Sequence, residues 1–102
     1  MIKEFKRGNQ IVYIPDHAKG NIDHNDVEYG FITSISPCGE AAYCRFWNKK
    51  PNDRILRTAS NSERVKLKNL KHYKYRKQID IEMLLNSIER KEYLCSSKIK
   101  RN

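Results

Sequence analysis

Residues 29–47 read Y-G-F-I-T-S-I-S-P-C-G-E-A-A-Y-C-R-F-W. Two runs rich in β-branched and aromatic side chains flank Pro37-Cys38-Gly39-Glu40, a cluster of turn formers. Such runs fit a pleated, half-buried surface, and a short turn between them predicts a β-hairpin with strands over 29–36 and 41–47. Strict alternation along the first strand puts Gly30 and Ile32 on one face and Phe31, Thr33 and Ile35 on the other. Gly30 permits a bend or a close backbone approach there.

Working outward, Gln10-Ile11-Val12-Tyr13-Ile14 predicts a strand that begins after a Gly8-Asn9 turn. Pro15 ends it, because proline offers no ladder donor. A long loop then runs to about Glu28. On the other side of the hairpin, 48–53 is a polar loop, 54–58 a short strand and 59–62 a loop. Arg64-Val65-Lys66-Leu67-Lys68 alternates cation and apolar residue, the pattern of a half-buried strand. The reading is therefore mainly β, with residues 1–70 forming a small SH3-like five-stranded barrel.

After Leu70 the pattern changes. Residues 71–77, K-H-Y-K-Y-R-K, have no acid and little periodicity. Asp80 is placed to cap a helix. Ile81, Leu84, Leu85 and Ile88 then recur at the spacing of one helical stripe. Residues 71–102 are expected to form a basic linker and a C-terminal amphipathic α-helix, packed as a lid on the barrel.

With 102 residues the chain is sized for one domain. A hydrophobic fraction of 38% and a mean hydropathy of −0.85 predict a thin core. No apolar run approaches the roughly 20 residues that cross a bilayer, and residues 1–7, M-I-K-E-F-K-R, lack the apolar core of a signal peptide. The three cysteines, Cys38, Cys44 and Cys95, show no C-x-x-C spacing, so reduced thiols in a cytoplasm are expected rather than a disulfide framework.

Charge is unevenly placed. Residues 1–60 carry nine Lys/Arg against seven Asp/Glu, and residues 61–102 carry twelve against five. The excess of cations in the second part, part of an overall +9, attracts polyanions. Between Arg64 and Lys77 stand Arg64, Lys66, Lys68, Lys71, Lys74, Arg76 and Lys77 with no acid, interleaved with Tyr73 and Tyr75. Cations neutralise phosphates and tyrosine rings stack on unpaired bases. Arg45 and Trp47, followed by Lys49 and Lys50, repeat the combination. These thirteen residues form the expected surface for nucleic acid or a nucleic-acid-binding protein. The bland alternative is that the aromatics belong to the core and the lysines only keep the chain soluble.

The loop between the first two strands concentrates the other chemistry: Asp16, His17, Asp23, His24, Asp26 and Glu28. Imidazole with carboxylate suits zinc, manganese or iron, so one divalent transition metal such as Zn, centred on His17, His24 and Asp26, is the alternative to no cofactor. The seven-residue histidine spacing is not that of a helical zinc motif, and the EF-hand order is missing. Asp, Asn and Gly also hold irregular loops without any ion. No P-loop, G-x-S-x-G or H-E-x-x-H is present. Cys38 or Cys44 with His17, His24 or His72 has no spacing that marks a nucleophile and its base. The chain is read as non-catalytic.

The span 8–47 carries G-N-x-x-V-Y-I-P-x-H-A-x-G-N-x-x-H-x-D-x-E-x-G-x-I over Gly8 to Ile32. This resembles a group of short, mostly uncharacterised proteins of tailed phages and prophages, over about two-fifths of the chain. Relatives often have proline after the second histidine and cysteine before the glutamate, where Asn25 and Val27 stand here. The resemblance implies an SH3-like barrel, a phage origin and action in the cytoplasm of a bacterial host. It also implies a class of small accessory proteins that bind host components. The expected function is a phage-encoded binding module that engages nucleic acid or a host nucleoprotein. The alternative is an inhibitor of a host enzyme or defence system, for example a CRISPR nuclease, acting by protein–protein contact.

Overall fold

A computed structural model of the protein describes residues 4–48, 56 and 62–87. Five strands, β1 (Gln10–Tyr13), β2 (Glu28–Ile35), β3 (Ala41–Phe46), β4 (Glu63–Lys66) and β5 (Leu70–His72), form one antiparallel sheet. Their order is β4-β3-β2-β1-β5. A 3-10 turn, Asp16–Ala18, lies in the first loop, and a second, Leu67–Asn69, joins β4 to β5. One helix, α1, covers residues 78–87 as far as the chain is described.

The hairpin forms as its residues predict. Gly39 takes φ +74 in the turn, and its N–H donates to the Ser36 carbonyl at 2.9 Å. Without a Cβ that left-handed conformation costs little. One feature of β2 departs from simple alternation. The register skips between Ile32 and Ser34, so Thr33 is an extra residue in the ladder. Such a bulge shifts the parity of everything beyond it. Ile35 therefore joins Ile32 on the interior face rather than Phe31 on the other, as alternation had placed it. Polar partners absorb the disruption: Arg7 Nη1 donates to the Thr33 carbonyl at 2.6 Å, and Thr33 Oγ1 donates to the Tyr43 carbonyl at 3.0 Å.

The sheet buries both faces. Ile11, Ile32, Ala42, Cys44, Phe46 and Leu70 make the interior cluster, with Val65 and Leu67 packed against it. Val65 on β4 and Leu70 on β5 come from opposite ends of the strand order, so the sheet curls to bring both onto one core. It does not close: among the described residues β4 and β5 form no ladder with each other. On the outer face Phe31 and Trp47 pack with Ile81 and Leu85 of α1, each of these two helix side chains contributing about 2 kcal/mol on burial. A third cluster, Val12, Ile14, Ala18 and Val27, fastens the first loop to β1.

Two expectations change, and a third cannot be followed through the described residues. The strand over 54–58 lies outside the described residues except Leu56, which makes an isolated bridge with Trp47. The fifth strand of the sheet is instead Leu70–His72, within the stretch read as linker. The helix begins at 78, and the Asp80 N–H donates to the Lys77 carbonyl at 3.1 Å. Asp80 thus sits inside the first turn, where an acid still complements the helix dipole. Ile81, Leu84 and Leu85 face the sheet as their spacing predicts, while Ile88 lies outside the described residues. Among the described residues no helix is long and apolar enough to cross a membrane.

Candidate nucleic-acid interface and histidine loop

Residues 64–77 form a continuous ribbon whose apolar and cationic positions point opposite ways. Val65, Leu67 and Leu70 pack on the interior cluster, and Tyr75 packs beside α1. That anchoring leaves Arg64, Lys66, Lys68, Lys71, Lys74 and Lys77 exposed. Tyr73 keeps 39% of its surface and stands edge-on to Tyr29 at 5.0 Å between ring centroids. The ribbon beyond β5 is strapped to β1 by Gln10, itself buried. The Gln10 side-chain amide donates to the Arg76 carbonyl at 2.6 Å and accepts from the Tyr75 N–H at 3.2 Å, while its backbone carbonyl accepts from the Tyr73 N–H at 3.1 Å. Gln78 Nε2 donates to the Gly8 carbonyl at 3.0 Å. These bonds fix a segment whose own sequence has no periodicity.

Several residues expected on this surface are not there. Arg45 and Trp47 are 4% and 3% exposed. Trp47 follows β3 on the outer face, where Phe31 and the helix residues Ile81 and Leu85 cover it, and Arg45 stands opposite Phe31 in the β2–β3 ladder. Trp47 donates from Nε1 to the Tyr75 hydroxyl at 2.7 Å, and that hydroxyl donates in turn to the Gly30 carbonyl. Burial pushes the Tyr75 phenol well above its ordinary pKa. Tyr75 is thus a packing residue with its polar end satisfied, not a stacking surface. Arg76, half-buried, lies over the Trp47 ring with its guanidinium carbon 4.6 Å from the centroid, a cation–π contact. Lys49 and Lys50 lie outside the described residues.

The loop from Ile14 to Val27 is a succession of tight turns. Lys19, Asn21, His24 and Val27 each donate a backbone N–H to the carbonyl three residues earlier, at 3.0–3.2 Å. Lys19 adopts φ 51. The second 3-10 turn grips the loop through Asn69, whose Nδ2 donates to the Ile14 carbonyl and to Asp16 Oδ1, both at 2.9 Å. The Asn69 carbonyl accepts from the Ile14 N–H at 2.8 Å. Lys68 Nζ is 3.6 Å from the same Asp16 oxygen. The Asn69 hydrogen bond, and then the Lys68 charge, hold the Asp16 carboxyl below its ordinary pKa. Neither Gln10 nor Asn69 stands out in the sequence, because each acts on a partner more than fifty positions away.

Of the six ligand-type residues in this loop, His17, His24 and Asp26 come together: their ligand atoms all lie within 4.8 Å of one another. His17 Nε2 is 2.6 Å from Asp26 Oδ2, and the two imidazoles meet edge-on at 5.2 Å. The Asp26 backbone N–H donates to His24 Nδ1 at 3.0 Å, which places a neutral His24 proton on Nε2. Neither described cysteine belongs to the group. Cys44 is buried in the interior, where burial pushes its thiol up to about 12, the opposite of an activated nucleophile. Cys38 is exposed in the hairpin turn, its sulfur 3.2 Å from Ser36 Oγ, a contact that lowers its pKa.

Comparison with known proteins returned no match: no family model, no curated protein and no solved structure matches the chain.

Proposed function

We propose that the chain is a non-catalytic binding module of SH3-like topology that engages nucleic acid, or a host nucleoprotein, through the exposed cations of residues 64–77. The observation that carries this reading is the division of labour along the ribbon. Val65, Leu67, Leu70 and Tyr75 anchor it, and six cations project from it with no acid between them. A surface of that kind tracks a phosphate backbone, and Tyr73 adds one ring for base stacking. The SH3-like reading is supported by the strand order, by the long first loop, by the 3-10 turn between β4 and β5, and by the return of β5 to pair with β1. The shared packing of Val65 and Leu70 supports a barrel-like curl. The loop motif supports a phage or prophage source, and hence a bacterial host component as partner.

Fluorescence anisotropy with single-stranded and duplex DNA and RNA tests the reading. Binding is expected at about 50 mM salt and should weaken steeply by about 200 mM. Undetectable binding to all four at the lower salt overturns direct nucleic-acid contact.

A second reading, inhibition of a host enzyme or defence nuclease by protein contact, is favoured by one observation. Ile79 and Met83, four residues apart on α1, are 64% and 66% exposed. Pull-down from nuclease-treated host lysate separates the two readings. A protein partner lost on substitution of Ile79 and Met83 favours inhibition, and loss of every partner after nuclease treatment favours nucleic acid.

A further inference from the structure

We propose that His17, His24 and Asp26 bind one late first-row divalent cation, zinc in the first instance, through two imidazole nitrogens and one carboxylate oxygen. This inference is independent of the nucleic-acid reading and uses no residue of the 64–77 ribbon as a ligand.

Two nitrogens and one oxygen are a ligand set suited to zinc, and three protein ligands leave a fourth position for water. The three residues are separated by seven and two positions in sequence, yet the turns of the loop bring their ligand atoms within 4.8 Å. The frame that holds them is fixed from both sides. Ala18, beside His17, and Val27, beside Asp26, are buried in the cluster under the loop, and Asn69 clamps the loop's first residues. Little ordering of backbone is left for the ion to impose.

Ion binding replaces two contacts of the free protein. Ligands on a tetrahedral zinc stand about 3.3 Å apart for bonds near 2.0–2.1 Å, so where His17 Nε2 and Asp26 Oδ2 both ligate they separate from 2.6 Å. A His17 proton held on Nε2 against Asp26 leaves that nitrogen, since only the lone pair can ligate. The Asp26 N–H···Nδ1 hydrogen bond of His24 is also given up. It vanishes if Nδ1 ligates, and if Nε2 ligates the ring proton moves to Nδ1 and faces the same N–H. The imidazole signals of both histidines must therefore change on binding.

The chain has three histidines, the third being His72, whose ring stacks on Phe5 at 4.4 Å. This provides an internal control. Untagged protein carrying isotope-labelled histidine is titrated with zinc chloride and followed by nitrogen-detected NMR and by calorimetry. A saturable one-to-one isotherm, with the His17 and His24 signals shifted and those of His72 unmoved, is the expected result. His17→Ala and His24→Ala, each checked for folding by circular dichroism, should weaken zinc at least about tenfold, and His72→Gln should leave it unchanged. No saturable binding at millimolar zinc overturns the proposal. So does binding that moves all three histidines alike, or that survives both alanine substitutions as an adventitious ion only.

Discussion

The hydroxyl of Tyr75 accepts a hydrogen bond from the Trp47 indole Nε1–H at 2.7 Å. Its own O–H donates to the Gly30 carbonyl, so one phenol joins the residue after β3, the body of β2 and the ribbon that leads to α1. Tyr75→Phe removes the oxygen and leaves an indole N–H and a carbonyl without this partner in a packed region. The expected cost is about 1–3 kcal/mol, read as a lower midpoint in urea denaturation at unchanged slope. A change under about half a kcal/mol would mean that water replaces the phenol.

Alkaline pH should unfold the protein through groups buried in their neutral form. The Cys44 thiol ordinarily titrates at 9.0 and is pushed up to about 12 by burial, and Tyr75 is raised from 10.0 for the same reason. Below pH 9 folded and unfolded chains both keep these protons, and pH has no effect through them. Above it the unfolded chain ionises first and binds fewer protons than the folded one, so stability falls as pH rises. Each group contributes a slope of about 1.4 kcal/mol per pH unit once its unfolded form has titrated. Thermal melts between pH 8 and 12 should show a falling Tm, and Cys44→Ala should flatten the first part of the fall.

Gly30 is required by closeness rather than by backbone angle. A Cβ built there would lie 2.0 Å from the Arg45 carbonyl oxygen and 2.9 Å from Phe46 Cα. Both are backbone atoms of the paired strand, which cannot swing aside as a side chain can. Gly30→Ala is expected to cost at least about 3 kcal/mol, seen as loss of cooperative thermal unfolding. Gly20, whose Cβ would meet nothing within 4 Å, serves as the contrast. With no clash, the cost of Gly20→Ala is that of its φ of +79, about 1–2 kcal/mol.

What could be read from the sequence follows from how locally each feature is determined. β1, β2 and β3 are runs of β-branched and aromatic residues bounded by Pro15 and the Ser36–Glu40 turn, so neighbouring residues suffice to define them. β5 is three residues long with only Leu70 buried. One apolar residue makes no alternation, and the strand exists because β1 offers it an edge. The bulge at Thr33 is likewise set by the pairing with β3, not by Thr33 itself. Arg45 and Trp47 resemble a binding surface by composition, and only the packing of Phe31 and α1 on the outer face reveals that Trp47 is covered. The histidine loop was legible as a gathering of ligand types. Which three of the six converge depends on turns and on Asn69, far away in the chain.

The exposed cations should act on affinity in a way that distinguishes phosphate contacts from packing. Lys71 and Lys74 are exposed, and among the described residues neither side chain is tied to the core by a hydrogen bond or ion pair. Lys71→Gln and Lys74→Gln are expected to leave thermal stability within about 0.5 kcal/mol. Each should weaken duplex binding and reduce the slope of log K against log salt by about 0.9, or about 0.7 on single strands. Tyr73→Ala should behave differently, because a ring stacks on unpaired bases and not on a closed duplex. It should cost about 1–3 kcal/mol on single strands while leaving the salt slope and duplex affinity unchanged. Trp47→Ala should instead lower stability, since its ring is packed against Phe31 and under Arg76. If Lys71→Gln and Lys74→Gln bind as the parent does across the salt series, the ribbon is not the contact surface.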